Sequence, residues 1–268
     1  NFTGFGGAIS WGGINGILRN CNFINNTAST GAGAIFWGGY NGILTGSTFI
    51  NNTAGTGAGV HWYGASGFLT NSTFINNNAT SYHGAVYWYG ANGILSSSTF
   101  TANNAISSGA GVYWAGVNGI LTGSTFISNV ANSDGGAVSW YRSDNGIITD
   151  CTFINNSAKN IGGAVHWFGG NNGTITSSTF TNNTAINFGG AVAWEITGSM
   201  HNCTFINSKW INSFTTSNGI GANQDLAING GKGIVEIITQ GTLTGISIII
   251  LNNETYYYTP NSNINLPN

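Results

Sequence analysis

The chain has 268 residues, room for one large all-β domain or two smaller ones, but only five basic and seven acidic residues, a net charge of −2. That balance leaves no basic face for nucleic acid, so nucleic-acid binding is excluded as an expectation. Glycine stands at 43, yet nine Trp, ten Tyr and fifteen Phe at regular positions give apolar surface enough to fold, which argues against disorder. No apolar run reaches the length of a membrane span, residues 246–251 forming one short strand-like run. With Asn1 first and no signal-like segment, any targeting information is expected to have been removed or to lie outside the 268 residues.

The first unit sets the pattern. Gly6-Gly7-Ala8-Ile9-Ser10-Trp11, then Asn15-Gly16-Ile17-Leu18, then Cys21-Asn22-Phe23-Ile24-Asn25-Asn26 reads as three short strands joined by two turns. It returns seven times. Trp falls at 11, 37, 62, 88, 114, 140, 167 and 194, and Phe at 23, 49, 74, 100, 126, 153, 180 and 205. A fixed period of this size signals stacked repeats.

In the first strand, Val or Ile stands two positions before each Trp, so the two share a face. The residue between them is Ser10, Phe36, His61, Tyr87, Tyr113, Ser139, His166 or Ala193. Such tolerance predicts an outward position, with Val/Ile and Trp inside. An Asn-Gly turn follows at 15–16, 41–42, 92–93, 118–119, 145–146 and 172–173, with Ser66-Gly67 and Thr197-Gly198 in the other two units. Glycine at all eight positions predicts a positive φ there. The second strand supplies an inward Leu, Ile or Met, from Leu18 to Met200.

The third strand places Cys or Ser and the Phe on one face. Three residues past the Phe comes Asn26, Asn52, Asn77, Asn103, Asn129, Asn156 or Asn183, with Ser208 in the last unit. A buried Asn at every turn predicts an amide ladder. Three strands per unit of ~26 residues, with turns too short for crossover helices, predict a parallel β-helix of about eight coils over 1–208. The pattern of leucine-rich repeats is absent, and a propeller needs a longer repeat.

The period breaks after Phe205. Residues 209–268 are expected to cap the last coil and to begin a linker near Pro260. No comparable cap precedes Gly6, so the chain reads as an excerpt from a longer array whose open coil ends could stack copies of itself end to end.

Two motifs carry a resemblance. Gly-Gly-Ala-Ile at 6–9 and Phe-x-x-Asn at 23–26 alternate as in polymorphic outer-membrane proteins. The wider unit, Cys/Ser-Thr-Phe-Ile-Asn-Asn-Thr/Ser-Ala followed by Gly-Gly-Ala-Val/Ile-x-Trp and Asn-Gly-Ile-Leu, resembles adhesin-like surface proteins of methanogenic archaea, through 1–208 and more loosely beyond. The resemblance implies a right-handed, pectate-lyase-like β-helix, exported to the cell surface, with an adhesive or structural role and no catalytic residues to transfer.

The residues themselves point the same way. The acids are Asp134, Asp144, Asp150, Glu195, Asp225, Glu236 and Glu254, without the paired carboxylates of neighbouring coils that polysaccharide cleavage requires, so no enzyme activity is expected. No cofactor is expected; a Ca²⁺ ion on Asp134 or Asp144 with backbone carbonyls is the nearest candidate, against solvated loop acids. His61 and His166 share a repeat position but stand four coils apart, too far to form a ligand set. Cys21, Cys151 and Cys203 share one repeat position, and the closest two are two coils apart, ~9.6 Å, beyond the ~7 Å reach of a disulfide. They are expected to be free, inward thiols.

On the outer face of the first strand, Phe36, His61, Tyr87, Tyr113 and His166 form one row, and Tyr63, Tyr89, Tyr141 and Phe168 a second two positions on. Such rows suit stacking on glycans or docking against surface proteins of other cells; the alternative is a ladder that merely stabilises the face. Sequons at Asn1, Asn25, Asn51, Asn71, Asn78, Asn155, Asn172, Asn182, Asn202 and Asn253 make N-glycosylation a further expectation.

Overall fold

Single-residue corners decide the path of the chain. Asn15, Asn20 and Asn25 take φ of 56°, 52° and 57°, and the same three left-handed corners recur in each coil to Asn172, Ser177 and Asn182. Asn tolerates this conformation better than other side chains, which explains its abundance. Between the first and second corners, and between the second and third, a strand of three or four residues fits.

The computed structural model describes residues 6–187, 189–194, 198–201, 203–206 and 208–210, and then 218–222, 226–229, 233–238, 248–251, 254–257 and 262–266. Within them the chain is an all-β parallel solenoid of four sheets. The first sheet begins with Ile9–Trp11, Ile35–Trp37 and Val60–Trp62, the second with Ile17–Arg19 and Ile43–Thr45, and the third with Asn22–Ile24 and Thr48–Ile50. Pairing is parallel and in register, so Trp88 lies over Trp114 and Phe74 over Phe100. The fourth sheet, from Thr53–Ala54 to Lys209–Trp210, corrects the expectation of three strands per coil. Its strands are two residues long, too short to show any alternation.

Past residue 208 the first sheet continues through 218–222 and 233–238, and the second through 226–229 and 248–251. Each then takes an antiparallel partner, 262–266 and 254–257 respectively.

Register converts the repeat into ladders. Trp11 through Trp194 stack with ring centroids 4.7–5.2 Å apart and planes within 12°. Phe23 through Phe180 do the same at 4.5–5.0 Å. Parallel rings at this separation are in the offset-stacked arrangement that their quadrupoles favour. The indoles are held by shape more than by hydrogen bonds. Nε1 of Trp88 and Trp114 donates to the Gly90 and Gly116 carbonyls, whereas Nε1 of Trp37, Trp62, Trp140, Trp167 and Trp194 finds no acceptor.

This ladder explains the turn glycines, and not as expected. Positive φ belongs to the residue before each turn glycine from Gly16 to Gly173, such as Asn92 at 55°, and Gly93 itself is not in the left-handed region. A Cβ on Gly93 would lie 2.2 Å from Trp88 Nε1, and one on Gly119 the same distance from Trp114 Nε1. Glycine is there because the indole lies against it.

The amide ladder is present, and from Asn52 onward its bonding is complete. Asn77 Nδ2 donates to Asn103 Oδ1 at 2.9 Å and to the Phe49 carbonyl at 3.0 Å, while Asn77 N–H donates to the same Asn103 Oδ1 at 3.0 Å. The pattern runs from Asn26 to Asn183, which ends on Ser208 Oγ. A second ladder joins Ser47, Ser72, Ser98 and Ser124, each backbone N–H donating to the next hydroxyl. Cys151 interrupts it. None of the three cysteines forms a disulfide; Cys151 and Cys203 are buried and Cys21, in the first coil, is partly exposed. Burial pushes the Cys151 thiol up to about 12, the N–H of Ser124 offsetting part of the effect.

Two predictions follow from the packing. Gly93→Ala should destabilise the fold by about 1–3 kcal/mol through overpacking, whereas Asn92→Gly should be tolerated; equal Tm losses would contradict the indole-contact account. Thiol labelling of the native chain should modify Cys21 and spare Cys151 and Cys203, because only the first is accessible.

Candidate functional site

The outer face of the first sheet carries two parallel rows of side chains, because alternation sends the residues flanking each Trp outward. In the first row Phe36, His61 and Tyr87 are half-buried. Farther along, Tyr113 is only 6% exposed, and Ser139, His166 and Ala193 are buried as well. The expectation of a uniformly outward row is therefore corrected for coils five to eight. The segment that leads from each fourth strand into the next first strand folds over this face: Ile161 packs on Ala193, and the His83 ring stacks on Tyr113 with centroids 3.5 Å apart.

The second row stays accessible. Tyr63 and Tyr89 are 51% and 48% exposed and stack at 4.8 Å. Tyr141 and Phe168 stack at 5.1 Å, and the Arg142 guanidinium lies 5.2 and 5.6 Å from their ring centroids. Ala115 interrupts the row between Tyr89 and Tyr141.

These rows line two grooves. One, of about 490 Å³, is formed by Phe36, His61, Tyr63 and Tyr87 with Thr30, Gly31 and Thr56. The other, of about 390 Å³, gathers Tyr113, Ser139, Tyr141, His166 and Phe168 against His83, Ser107, Ser108, Asp134, Asn160 and Ile161. Of the nine face residues expected from sequence, eight line one groove or the other, and Tyr89 extends the Tyr63 stack outside both.

Sequence reasoning missed His83 and Asn160. His83 occupies the position that is left-handed glycine in neighbouring coils, Gly57, Gly109, Gly135 and Gly162, so its departure from a glycine column was a readable signal. Its ring also approaches Tyr87 at 5.1 Å, so it stands at the boundary between the two grooves. Asn160 Nδ2 donates to Asp134 Oδ1 at 2.7 Å and the Ser133 hydroxyl to Asp134 Oδ2 at 2.8 Å, fixing the carboxylate at the groove edge.

Burial favours the neutral forms of four ionisable groups on this face. It holds His61 down at about 4. His83 is also held at about 4, by burial first and by the neighbouring His61 second, with a hydrogen bond to the Ser108 backbone working the other way. Burial, then neighbouring phenols, raises Tyr87 and Tyr113 above the ordinary tyrosine value. At neutral pH the imidazoles of His61 and His83 and these two phenols are uncharged.

The remaining expected sites fall elsewhere. Asn25, Asn51, Asn71, Asn155, Asn172 and Asn182 are exposed at left-handed corners, and Asn78 is half-buried in the fourth sheet. At Asn51, Asn155 and Asn182 the sequon is a product of the fold: a corner Asn, a ladder Asn, then the Thr or Ser that starts a fourth strand. Asn1, Asn202 and Asn253 lie outside the described residues. Asp144 is exposed and accepts the Asn171 N–H at 2.6 Å; Asp150 sits at the corner between the second and third strands. Among the described residues no three His, Cys, Asp or Glu side chains converge as metal ligands.

Two stretches, 150–166 and 177–193, match the model of the Chlamydia polymorphic membrane protein repeat. They span the third strand of one coil and the first strand of the next, so the structure and the family model describe the same kind of β-helix repeat. No curated protein and no solved structure matches the chain.

Because His61 and His83 bind a proton more readily in the unfolded chain, near 6.5, than in the fold, at about 4, their contribution to stability is complete above pH 6.5 and is lost as pH falls toward 4. Tm should therefore be lower at pH 4.5 than at pH ~7, and His61→Phe, the residue type at this position in coil two, should recover part of the difference. An unchanged pH dependence in the variant would contradict the assignment.

Proposed function

We propose that this chain is a non-enzymatic, adhesin-like β-helix of the cell surface that attaches to glycans or to surface proteins of other cells through the outer face of its first sheet. The observation that carries the reading is the pair of aromatic rows on one in-register face, the second row accessible and the two together lining two grooves. Aromatic rings held in place before contact lose little conformational freedom on binding. The match to a membrane-protein repeat supports placement at the envelope. The acids of coil six support binding over catalysis, since Asp134, Asp144 and Asp150 lie at different points around the coil.

A second reading draws on the same ladders. A rod whose core is bonded coil to coil also suits holding adhesive modules away from the envelope.

The test is a broad glycan and host-cell binding screen of the whole chain beside a Tyr63→Ala/Tyr89→Ala double variant, both residues being exposed enough to leave the core intact. The expected result is binding by the parent that the variant weakens at least about tenfold. Absence of binding by the parent would make the rows structural ladders and favour the spacer, and a variant that binds equally well would clear the Tyr63–Tyr89 stack of any part in attachment.

A further inference from the structure

Register that puts like residues over like decides where a covalent tie between coils can form. The three cysteines share one column but never occupy adjacent coils, so no disulfide closes. The second outer row of the first sheet is different. Tyr63 and Tyr89 stand in adjacent coils, with ring centroids 4.8 Å apart and planes within 8°. We infer that this pair is a site of oxidative cross-linking, at which a one-electron oxidant of the peroxidase class joins the two phenols into a dityrosine. The inference does not depend on the adhesive reading.

Three observations select this pair among the described tyrosines. First, both rings are about half exposed, so a reagent reaches them. Second, they lie nearly parallel at the spacing of the strands that carry them, ~4.8 Å. Their neighbours in the row are Gly38 on one side and Ala115 on the other, so no ring of the same row clamps the pair from either end.

Third, the other tyrosine contacts lack one of these properties. Tyr87 meets Tyr89 edge-on at 6.4 Å and Tyr113 edge-on at 5.6 Å. Tyr113 meets Tyr141 at 5.7 Å with planes 30° apart, and Tyr113 is nearly buried. Burial raises the phenols of Tyr87 and Tyr113, which opposes the proton loss that oxidation requires. Tyr40 and Tyr82 are exposed, but among the described residues neither stacks on another phenol.

The chemistry balances. Each phenol gives one electron to the oxidant and one proton to water, leaving a phenoxyl radical whose spin is shared with the ring carbons ortho to the oxygen. An ortho carbon of Tyr63 then bonds to an ortho carbon of Tyr89. The hydrogens on those two carbons pass through water to the oxygens, which restores both phenols. The net change is the loss of two hydrogen atoms and the gain of one C–C bond. Two radicals held in a stack meet without diffusing, so coupling within the chain outruns coupling between chains. The bond ties coil three to coil four on the accessible side of the first sheet, and it constrains the unfolded chain as a disulfide does.

The experiment treats the whole chain, dilute and at neutral pH, with a haem peroxidase and hydrogen peroxide. Dityrosine fluorescence is followed, and linked peptides are mapped by mass spectrometry in the monomer fraction after gel filtration. The expected product is a monomer whose Tyr63 and Tyr89 peptides are joined with the loss of two hydrogen atoms. Tyr63→Phe and Tyr89→Phe should each abolish that product and keep the fold, since Phe168 stacks on Tyr141 in the same row. Tyr141→Phe should leave the yield unchanged.

The inference is overturned if the monomer carries no linked pair, if the link maps to Tyr87–Tyr113 or Tyr113–Tyr141, or if dityrosine forms only between chains through Tyr40 or Tyr82. A Tyr63→Phe chain that gives the same yield of dityrosine within the monomer counts against it equally.

Discussion

The buried amide ladder is the interaction on which the rest depends. From Asn52 to Asn183 each ladder Asn gives both side-chain N–H groups and takes two hydrogen bonds at its oxygen, as Asn77 does from the amide and the backbone N–H of Asn52 in the preceding coil. A slip of one residue would bury a corner residue in its place and leave those donors and acceptors without partners. Such groups are costly in the interior, at about 1–3 kcal/mol each. The ladder therefore sets the register of every coil against the next. The Trp and Phe stacks follow from that register, since like residues can face each other only when the coils align.

The same register organises the outside. Once Trp lies over Trp, the residues on either side of it must also lie over their counterparts, so any aromatic among them joins a row. The rows are consequences of the interior, but their composition is not. Coils five to eight place Tyr, Ser, His and Ala in the first row beneath covering segments, whereas coils two to four leave Phe36, His61 and Tyr87 partly open. The outer rows and the scaffold thus share one backbone, and the difference lies in side chains that the interior does not constrain.

Much of this was legible beforehand. The Trp and Phe periods gave the coil, the Val-x-Trp alternation gave the inward face, and the Asn three residues past each Phe announced the ladder. What escaped had physical causes. The two-residue fourth strand shows no alternation. Glycine at the turn reads as a requirement of backbone conformation because a sequence does not display that an indole will lie against it, as Trp88 does against Gly93. The covering of Tyr113 depends on a segment that carries no periodic pattern, although His83 in a glycine column marked the place. Asp134 was visible as a rare acid, but its partnership with Asn160 is a contact between adjacent coils.

Residue-resolved hydrogen exchange of the ladder backbone N–H groups tests the central claim most directly. The N–H of Asn52, Asn77, Asn103, Asn129 and Asn156 each donates to a neighbouring Asn Oδ1. If the ladder holds the coils in register, these amides exchange only through global unfolding, with rates that rise together as denaturant is added. Fast exchange insensitive to denaturant would show that local openings break the ladder while the fold persists, and would contradict the account.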